Sequence, residues 1–200
     1  MTTMIKTKEE KRMNQAKPGA GLPRLEQLAL KYILVPLGKR VFTWESALKM
    51  FHNEVKHIEK LVKEVEEKKR QERVMIDRVF GIEDHSRDYS ISMVIEHLNI
   101  VGYGIMGVIH TLSKEESVTE EIKIENVKPH GSTEDELNRF LAFSRVYDTF
   151  IEKLPKRKSR MTKPHPWFVE LNNMDWSIFM AIHTFVHRRQ IEAIIQRLNT

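Results

Sequence analysis

The sequence contains no cysteine, and this absence excludes several kinds of site. A disulfide framework, a thiolate zinc site, an iron–sulfur cluster and a cysteine nucleophile all require that residue. A chain without cysteine is also compatible with a reducing compartment. We therefore predict a cytoplasmic protein whose chemistry depends on nitrogen and oxygen ligands.

Long apolar runs are also missing from the 200 residues. No uninterrupted run reaches the roughly 18–20 residues that span a bilayer. The first 21 residues are charged and lack the apolar region of a secretory signal. These features predict a chain without a transmembrane segment, folded as one domain with an extension.

The common nucleotide-binding and hydrolase motifs are absent, including GxxxxGK[ST], GxSxG and HExxH. The segment GYGIMG, residues 102–107, does match GxGxxG in its letters. It lies inside a predicted helix with no strand before it, so a dinucleotide site is not indicated. Its glycines fit either a close approach between helices or space above a bound ion.

Positive charge is concentrated locally, within a net charge of +5. Residues 153–163 (KLPKRKSRMTK) carry six cations and no acid. Such a segment could contact nucleic acid or an acidic membrane, or it could be a solvated loop. No aromatic or glycine pattern accompanies the cations, which favours the solvated loop, and no nucleic-acid partner is expected.

Apolar residues recur every three or four positions, which predicts an all-α protein. Four long helices are expected, together with an extended connection at residues 121–128. The helices run from Thr43 to the low seventies, from Ser90 to Leu112, from Ser132 or Thr133 to Leu154, and from Asn172 or Asn173 to Leu198.

The segments before the first long helix form a separate region. Residues 1–20 are polar and predicted to be disordered, and residues 21–43 form an amphipathic helical extension that ends near Pro36. This extension packs on the main body, or it lies on a partner or a membrane surface. Residues 44–200 form the four-helix bundle. Its long connections, 113–131 and 155–171, favour up-down-down-up topology.

Three of the nine histidines fall on apolar helix faces. His183 and His187 lie one turn apart on the last helix, within about 60° of Met180 on a helical wheel. His97 lies about 60° from the centre of the apolar stripe of the second long helix. Buried imidazoles need polar partners. Three of them suit one divalent transition-metal ion, with coordination positions left for water or substrate.

The other histidines are weaker candidates. The pair Glu54-x-x-His57 has the spacing found in di-iron bundles, but a second such pair is missing. His57 and His110 are predicted to face solvent, and His85 and His130 to lie in loops. His165 either packs under the last helix or lines the rim of a pocket.

Two segments carry a resemblance to a known family, DYSISMVIEHLNIVG around His97 and HPWFVELNNMDWSIFMAIHTFVHRRQI at the end of the chain. Over residues 44–198 the sequence resembles the DinB/YfiT-like metalloenzymes. The resemblance implies an up-down-down-up four-helix bundle with nickel or zinc bound by His97, His183 and His187. The three-histidine donor set by itself also suits copper and ferrous iron. The resemblance also implies thiol-dependent transferase chemistry with a low-molecular-weight thiol. Val169 stands where the family has a small residue.

These features lead to two hypotheses about function. In the first, the chain is a metal-dependent hydrolase or thiol transferase for a small-molecule substrate, with a metal-bound water or thiol. Gln190 and Asn99 then support the ligand histidines, Arg188 is a candidate for binding carboxylates, and a homodimer is expected. In the second, the bundle is a non-catalytic binding module with a structural metal or none.

Overall fold

The computed structural model describes residues 15–17, 19–121, 124–131, 135–166 and 169–200. Numbered in chain order, α1 comprises Arg24–Ala29, a π-helical turn Leu30–Leu34 and Val35–Val41. The further helices are α2 (Trp44–Lys63), α3 (Glu67–Arg70), α4 (Ile91–Ser113), α5 (Glu136–Lys153) and α6 (Asn173–Leu198). The all-α prediction is confirmed, with α2, α4, α5 and α6 forming the bundle.

Side-chain caps begin three of the four bundle helices at the predicted places. The Thr43 hydroxyl accepts the Ser46 backbone N–H at the start of α2, and the Ser90 hydroxyl serves α4 in the same way. Asn172 and Asp175 form a reciprocal capping box at α6. Such caps satisfy backbone donors that have no partner within the helix. Residues 132–134, where α5 was predicted to begin, lie outside the described residues.

The predicted end of the first long helix is wrong, because α2 ends at Lys63 and not in the low seventies. Residues 66–73 (EEKKRQER) contain no apolar side chain. Most helical stability comes from packing an apolar face against the core. The chain beyond Val65 has no such face, and only the single turn of α3 forms there.

Contacts along α4 establish its direction relative to two neighbours. Ser113, at the end of α4, bonds to Asn173 at the start of α6, so these helices are antiparallel. By contrast, Asn99 near the start of α4 bonds to Glu136 at the start of α5. His110, near the end of α4, meets Phe150, near the end of α5. Helices α4 and α5 are therefore parallel.

The direction of α2 completes the topology. Its first residue, Trp44, lies beneath the ammonium group of Lys156, just beyond the end of α5. Further along, Phe51 contacts Tyr147 edge to face. Helix α2 therefore runs antiparallel to α5, and the bundle is up-down-down-up as predicted.

The prediction that the extension ends near Pro36 is wrong, since α1 continues to Val41. Proline lacks an N–H and its ring collides with the carbonyl group four residues earlier in a regular helix. Here the preceding turn is π-helical, and the Val35 N–H donates to the Leu30 carbonyl five residues back. The wider turn accommodates the proline without ending the helix.

Two connections between the bundle helices have local structure. The predicted extended segment at 121–128 contains a 3₁₀ turn, Ile124–Val127, so that prediction is wrong there. In the connection before α6, strands β1 (Lys163–Pro164) and β2 (Glu170–Leu171) pair antiparallel. The domain boundaries at residues 20 and 43 stay predictions.

Helix α4 is long and apolar enough to cross a membrane by length and composition. However, more than half of its most apolar window is buried inside the bundle. The buried positions include polar Ser92, Glu96 and Asn99. These are properties of a core helix, and the absence of a transmembrane segment stays a prediction.

The glycines of α4 differ in their surroundings. A Cβ atom at Gly102 would lie 2.6 Å from two ring carbons of Phe143, whereas one at Gly104 or Gly107 would have no neighbour within 4 Å. Gly102 thus permits the close approach of α5, as one of the two sequence interpretations predicts.

We expect Gly102→Ala to lower the free energy of unfolding by about 1–3 kcal/mol, because the buried Phe143 ring must move. Gly104→Ala is the matched control and should be neutral or stabilise by up to about 1 kcal/mol, since alanine is the better helix former. Urea unfolding of both variants measures the difference. Equal stabilities would contradict the tight packing at Gly102.

Candidate metal centre

Helices α4 and α6 bring His97, His183 and His187 together. The Nε2 atom of His183 lies 3.3 Å from that of His97 and 3.1 Å from that of His187. One nitrogen from each ring lies within 4.8 Å of the others. The spacing on α6 is one helical turn, which aligns two rings on one face. The three histidines predicted from the helical wheel therefore form one cluster.

The hydrogen bonds of Gln190 determine which nitrogen of His187 carries a proton. The Gln190 amide nitrogen donates to the Ser86 carbonyl group at 2.7 Å. Its oxygen therefore faces His187, where Nδ1 lies 2.7 Å away. An amide oxygen only accepts, so Nδ1 donates and the Nε2 atom of His187 is left with a lone pair.

His97 has the same tautomer for a similar reason. Its Nδ1 atom lies 2.7 Å from the Val127 carbonyl oxygen and donates to it. The loop that carries Val127 is held in turn by the buried carboxylate of Glu96, which accepts the backbone N–H groups of His130 and Gly131. The Nε2 atom of His97 is thus unprotonated as well, and its lone pair faces the cluster.

Two lone pairs directed at His183 cannot both be satisfied by that residue. A neutral ring has at most one proton on Nε2, so it can donate to His97 or to His187 but not to both. One cation between the three nitrogens would satisfy all of them. Two nitrogens bound tetrahedrally to zinc at about 2.0–2.1 Å lie roughly 3.3 Å apart, close to the separations observed here.

Burial keeps the cluster neutral. The pKa of His97 is lowered to about 4, mainly by desolvation and also by the Lys128 charge, while the hydrogen bond to Val127 and the Glu83 charge oppose the shift. Desolvation also places the pKa values of His183 and His187 well below their ordinary range. Neutral imidazoles are the form that binds metals, so the ligands are available at neutral pH.

Charged and aromatic groups surround the triad. Lys128 pairs with the buried carboxylate of Glu83, and this carboxylate also accepts the Gly21 N–H. On another side, the Phe179 ring contacts both His183 and His165, with centroids 5.4 Å and 4.6 Å away. The triad therefore has an aromatic ring in contact with His183 and is within electrostatic range of the Lys128–Glu83 ion pair.

No carboxylate or further histidine joins the triad among the described residues. Structural zinc sites have four protein ligands, whereas sites with three leave a position open for water or substrate. His97 and His183 are only partly buried, while His187 is buried. The cluster therefore offers three candidate ligands to an ion.

Several other sequence-predicted residues have different roles. Gln190 supports His187 as expected, but Asn99 donates to Glu136 and not to a histidine. Arg188 is engaged by Glu54 and Glu192, so it is not available to bind a substrate carboxylate in this arrangement. The helical position of an amide side chain shows that it can approach a histidine, but it does not determine which group the amide bonds to.

The remaining histidines mostly behave as predicted. His57 and His110 are exposed on their helices, and His130 is exposed in a loop. His85 lies in the 3₁₀ turn Asp84–Asp88. His165 is buried against Trp176 and Phe179, as the packing interpretation requires. Residues 167 and 168 of the HPWF segment lie outside the described residues.

The sequence did not reveal the carbonyl partners of the triad or the Lys128–Glu83 pair. Ser86 and Val127 act through backbone carbonyl groups, which every residue has. Lys128 and Glu83 lie in separate loops 45 residues apart. No residue pattern in a single sequence indicates either arrangement.

Comparison with known proteins supports the fold. The chain is similar to a solved structure described as "Crystal structure of TT2238, a four-helix bundle protein", with a TM-score of 0.52 and 23% identity. The match covers 76% of this chain and 99% of that chain. At this identity the likeness shows the fold alone. No protein-family model and no curated protein matches the chain.

We expect the metal-free protein to lose stability as the pH falls from 6.5 towards 4. The unfolded chain binds protons at its histidines in this window while folded His97 does not, so the free energy of unfolding decreases. Between pH 6.5 and 5.5 the loss should be about 1 kcal/mol per buried histidine. Urea unfolding at each pH measures it.

The variant His97→Gln should reduce this pH dependence, whereas His57→Gln, at an exposed position, should leave it unchanged. The same slope in wild type and His97→Gln would show that His97 is not held neutral in the folded protein.

Proposed function

We propose that His97, His183 and His187 bind one divalent transition-metal ion and that the chain is a metal-dependent enzyme. The observation that carries the proposal is the pair of Nε2 lone pairs directed at a third imidazole. The Nδ1 atoms of His97 and His187 donate to carbonyl oxygens, so their Nε2 atoms carry lone pairs. Both lone pairs face the Nε2 atom of His183, which can donate to one of them at most. The polar network therefore favours a cation at the centre.

The donor set limits the identity of the ion. Three neutral imidazoles suit zinc, nickel, copper or ferrous iron, whereas magnesium and calcium prefer oxygen ligands. Nickel and zinc are our first candidates, and iron is a third. The Gln190 and Val127 contacts resemble the outer hydrogen bonds that orient metal-bound histidines and raise their basicity.

The open ligand position favours catalysis over a structural role. When bound, the ion would act as a Lewis acid and lower the pKa of a coordinated water or thiol. The chain itself supplies an apolar aromatic ring, Phe179, in contact with His183. Such a surface beside an open ligand position suits a small-molecule substrate with a thiol group.

The reaction class rests on the family resemblance. The helix around His97 and the final helix resemble those of DinB/YfiT-like enzymes, among which thiol-dependent transferases occur. The observed triad, bundle and topology agree with that resemblance. We therefore propose a thiol transferase that uses a low-molecular-weight thiol, or related metal-assisted chemistry, in the cytoplasm.

Protein purified without a histidine tag should contain about one transition-metal ion per chain by elemental analysis. We expect His187→Ala to lose the ion, because one of three ligands is removed, and His57→Ala to retain it, because that side chain is exposed. The metal proposal would be contradicted if purified wild type contained no metal and its melting temperature did not rise when nickel or zinc was added. Unchanged metal content in His187→Ala would show that the ligands are wrongly assigned.

Cobalt substitution separates a reactive site from a structural one. With an open position, cysteine or glutathione should bind the cobalt-loaded protein and produce a thiolate-to-cobalt absorption band. The band should not appear with serine, which lacks the thiol, or in cobalt-treated His187→Ala. A cobalt spectrum that neither thiol changes would contradict the thiol-transferase proposal and favour the structural-metal alternative.

A further inference from the structure

Helix α1 exposes an unusually apolar outer face. Leu25 is 81% exposed, Tyr32 65% and Ile33 62%, although they belong to an ordered helix. Phe80 is also exposed, in the loop that contacts the start of α1. The outer face also includes Leu28, Leu34, Leu37 and Val41. Large exposed apolar patches are uncommon on proteins without a partner and mark interaction surfaces.

The inner side of α1 is attached to the bundle at both ends. Near its start, the Glu26 carboxylate accepts from Arg78 and from the Gly81 backbone N–H. Near its end, Lys39 donates to the Glu170 carbonyl group and pairs with Asp175. These contacts keep the apolar outer face directed away from the bundle.

The charges of α1 are divided between its two sides. Its single carboxylate, Glu26, is turned inward, whereas Arg24, Lys31 and Arg40 are exposed. The outer face therefore combines large apolar side chains with cations and has no carboxylate. An amphipathic helix of this composition lies in the interface of a membrane, with its cations at lipid phosphates.

The basic segment 153–163 adds positive charge at the same end of the molecule as the C-terminus of α1. The Lys156 ammonium group lies 5.7 Å from the ring centroid of Trp44, three residues beyond Val41. Arg157, Lys158 and Arg160 are exposed nearby in the chain. Each cation near an anionic bilayer contributes to attraction within a Debye length.

We propose that the outer face of α1 binds an anionic membrane surface, with the basic segment assisting. The apolar side chains would enter the boundary between headgroups and acyl chains, while Arg24, Lys31 and Arg40 would contact phosphates. Pairing this face with a second copy would instead bring two sets of α1 cations together, and α1 has no outward carboxylate to compensate them. Charge complementarity therefore selects the lipid surface as the occupant.

Vesicle flotation of the full chain tests the proposal. The protein should float with vesicles of phosphatidylglycerol and phosphatidylcholine, much less with phosphatidylcholine alone, and less as salt is raised. Ile33→Glu should weaken the association by roughly tenfold to a hundredfold, since a buried isoleucine is lost from the interface. The side chain of Ile33 is exposed, so the fold should tolerate the change.

Val146→Glu is the matched control, because it introduces the same charge at an exposed apolar residue on α5. It should float like wild type. Absence of flotation with anionic vesicles, or equal flotation of Ile33→Glu and wild type, would overturn the proposal. A dimer in light scattering that Ile33→Glu abolishes, without vesicle binding, would overturn it in favour of a second copy as the occupant.

Discussion

Three imidazole rings share one small volume, and the direction of their lone pairs constrains much of the surrounding structure. Each outer nitrogen of His97 and His187 donates to an acceptor that cannot donate back. The acceptor for His97 belongs to the loop before α5. The acceptor for His187 is Gln190, itself oriented by the carbonyl group of Ser86 in the 3₁₀ turn before α4. Two connections are thereby linked to the bundle interior.

The topology makes this arrangement possible. Because α4 and α6 are antiparallel and in contact, a residue in the second turn of α4 meets residues near the middle of α6. The parallel pair α4 and α5 requires a long connection, and that connection supplies the Val127 carbonyl group. Gly102 then allows α5 to approach closely through Phe143. The connection that the topology demands thus also orients a candidate ligand.

Buried carboxylates and exposed apolar side chains occupy separate parts of the fold. The buried carboxylates of Glu83, Glu96 and Glu136 each accept a hydrogen bond from a loop or helix around them. The exposed apolar side chains are concentrated on α1, where the only carboxylate is turned inward. The candidate metal centre and the proposed membrane face are thus built from separate parts of the chain.

Apolar spacing by itself determined the four bundle helices, where three of them start, and the helix faces on which His97, His183 and His187 lie, since helical periodicity is local. The end of α2, the passage of α1 through Pro36 and the partner of Asn99 were mispredicted. They depend on what packs or bonds from distant parts of the chain. Only the tertiary structure decided the tautomers of His97 and His187, because these depend on the carbonyl groups of Val127 and Ser86. Every residue has a backbone carbonyl group, so a sequence does not indicate which of them accepts a hydrogen bond from a given side chain. The fold determines that pairing.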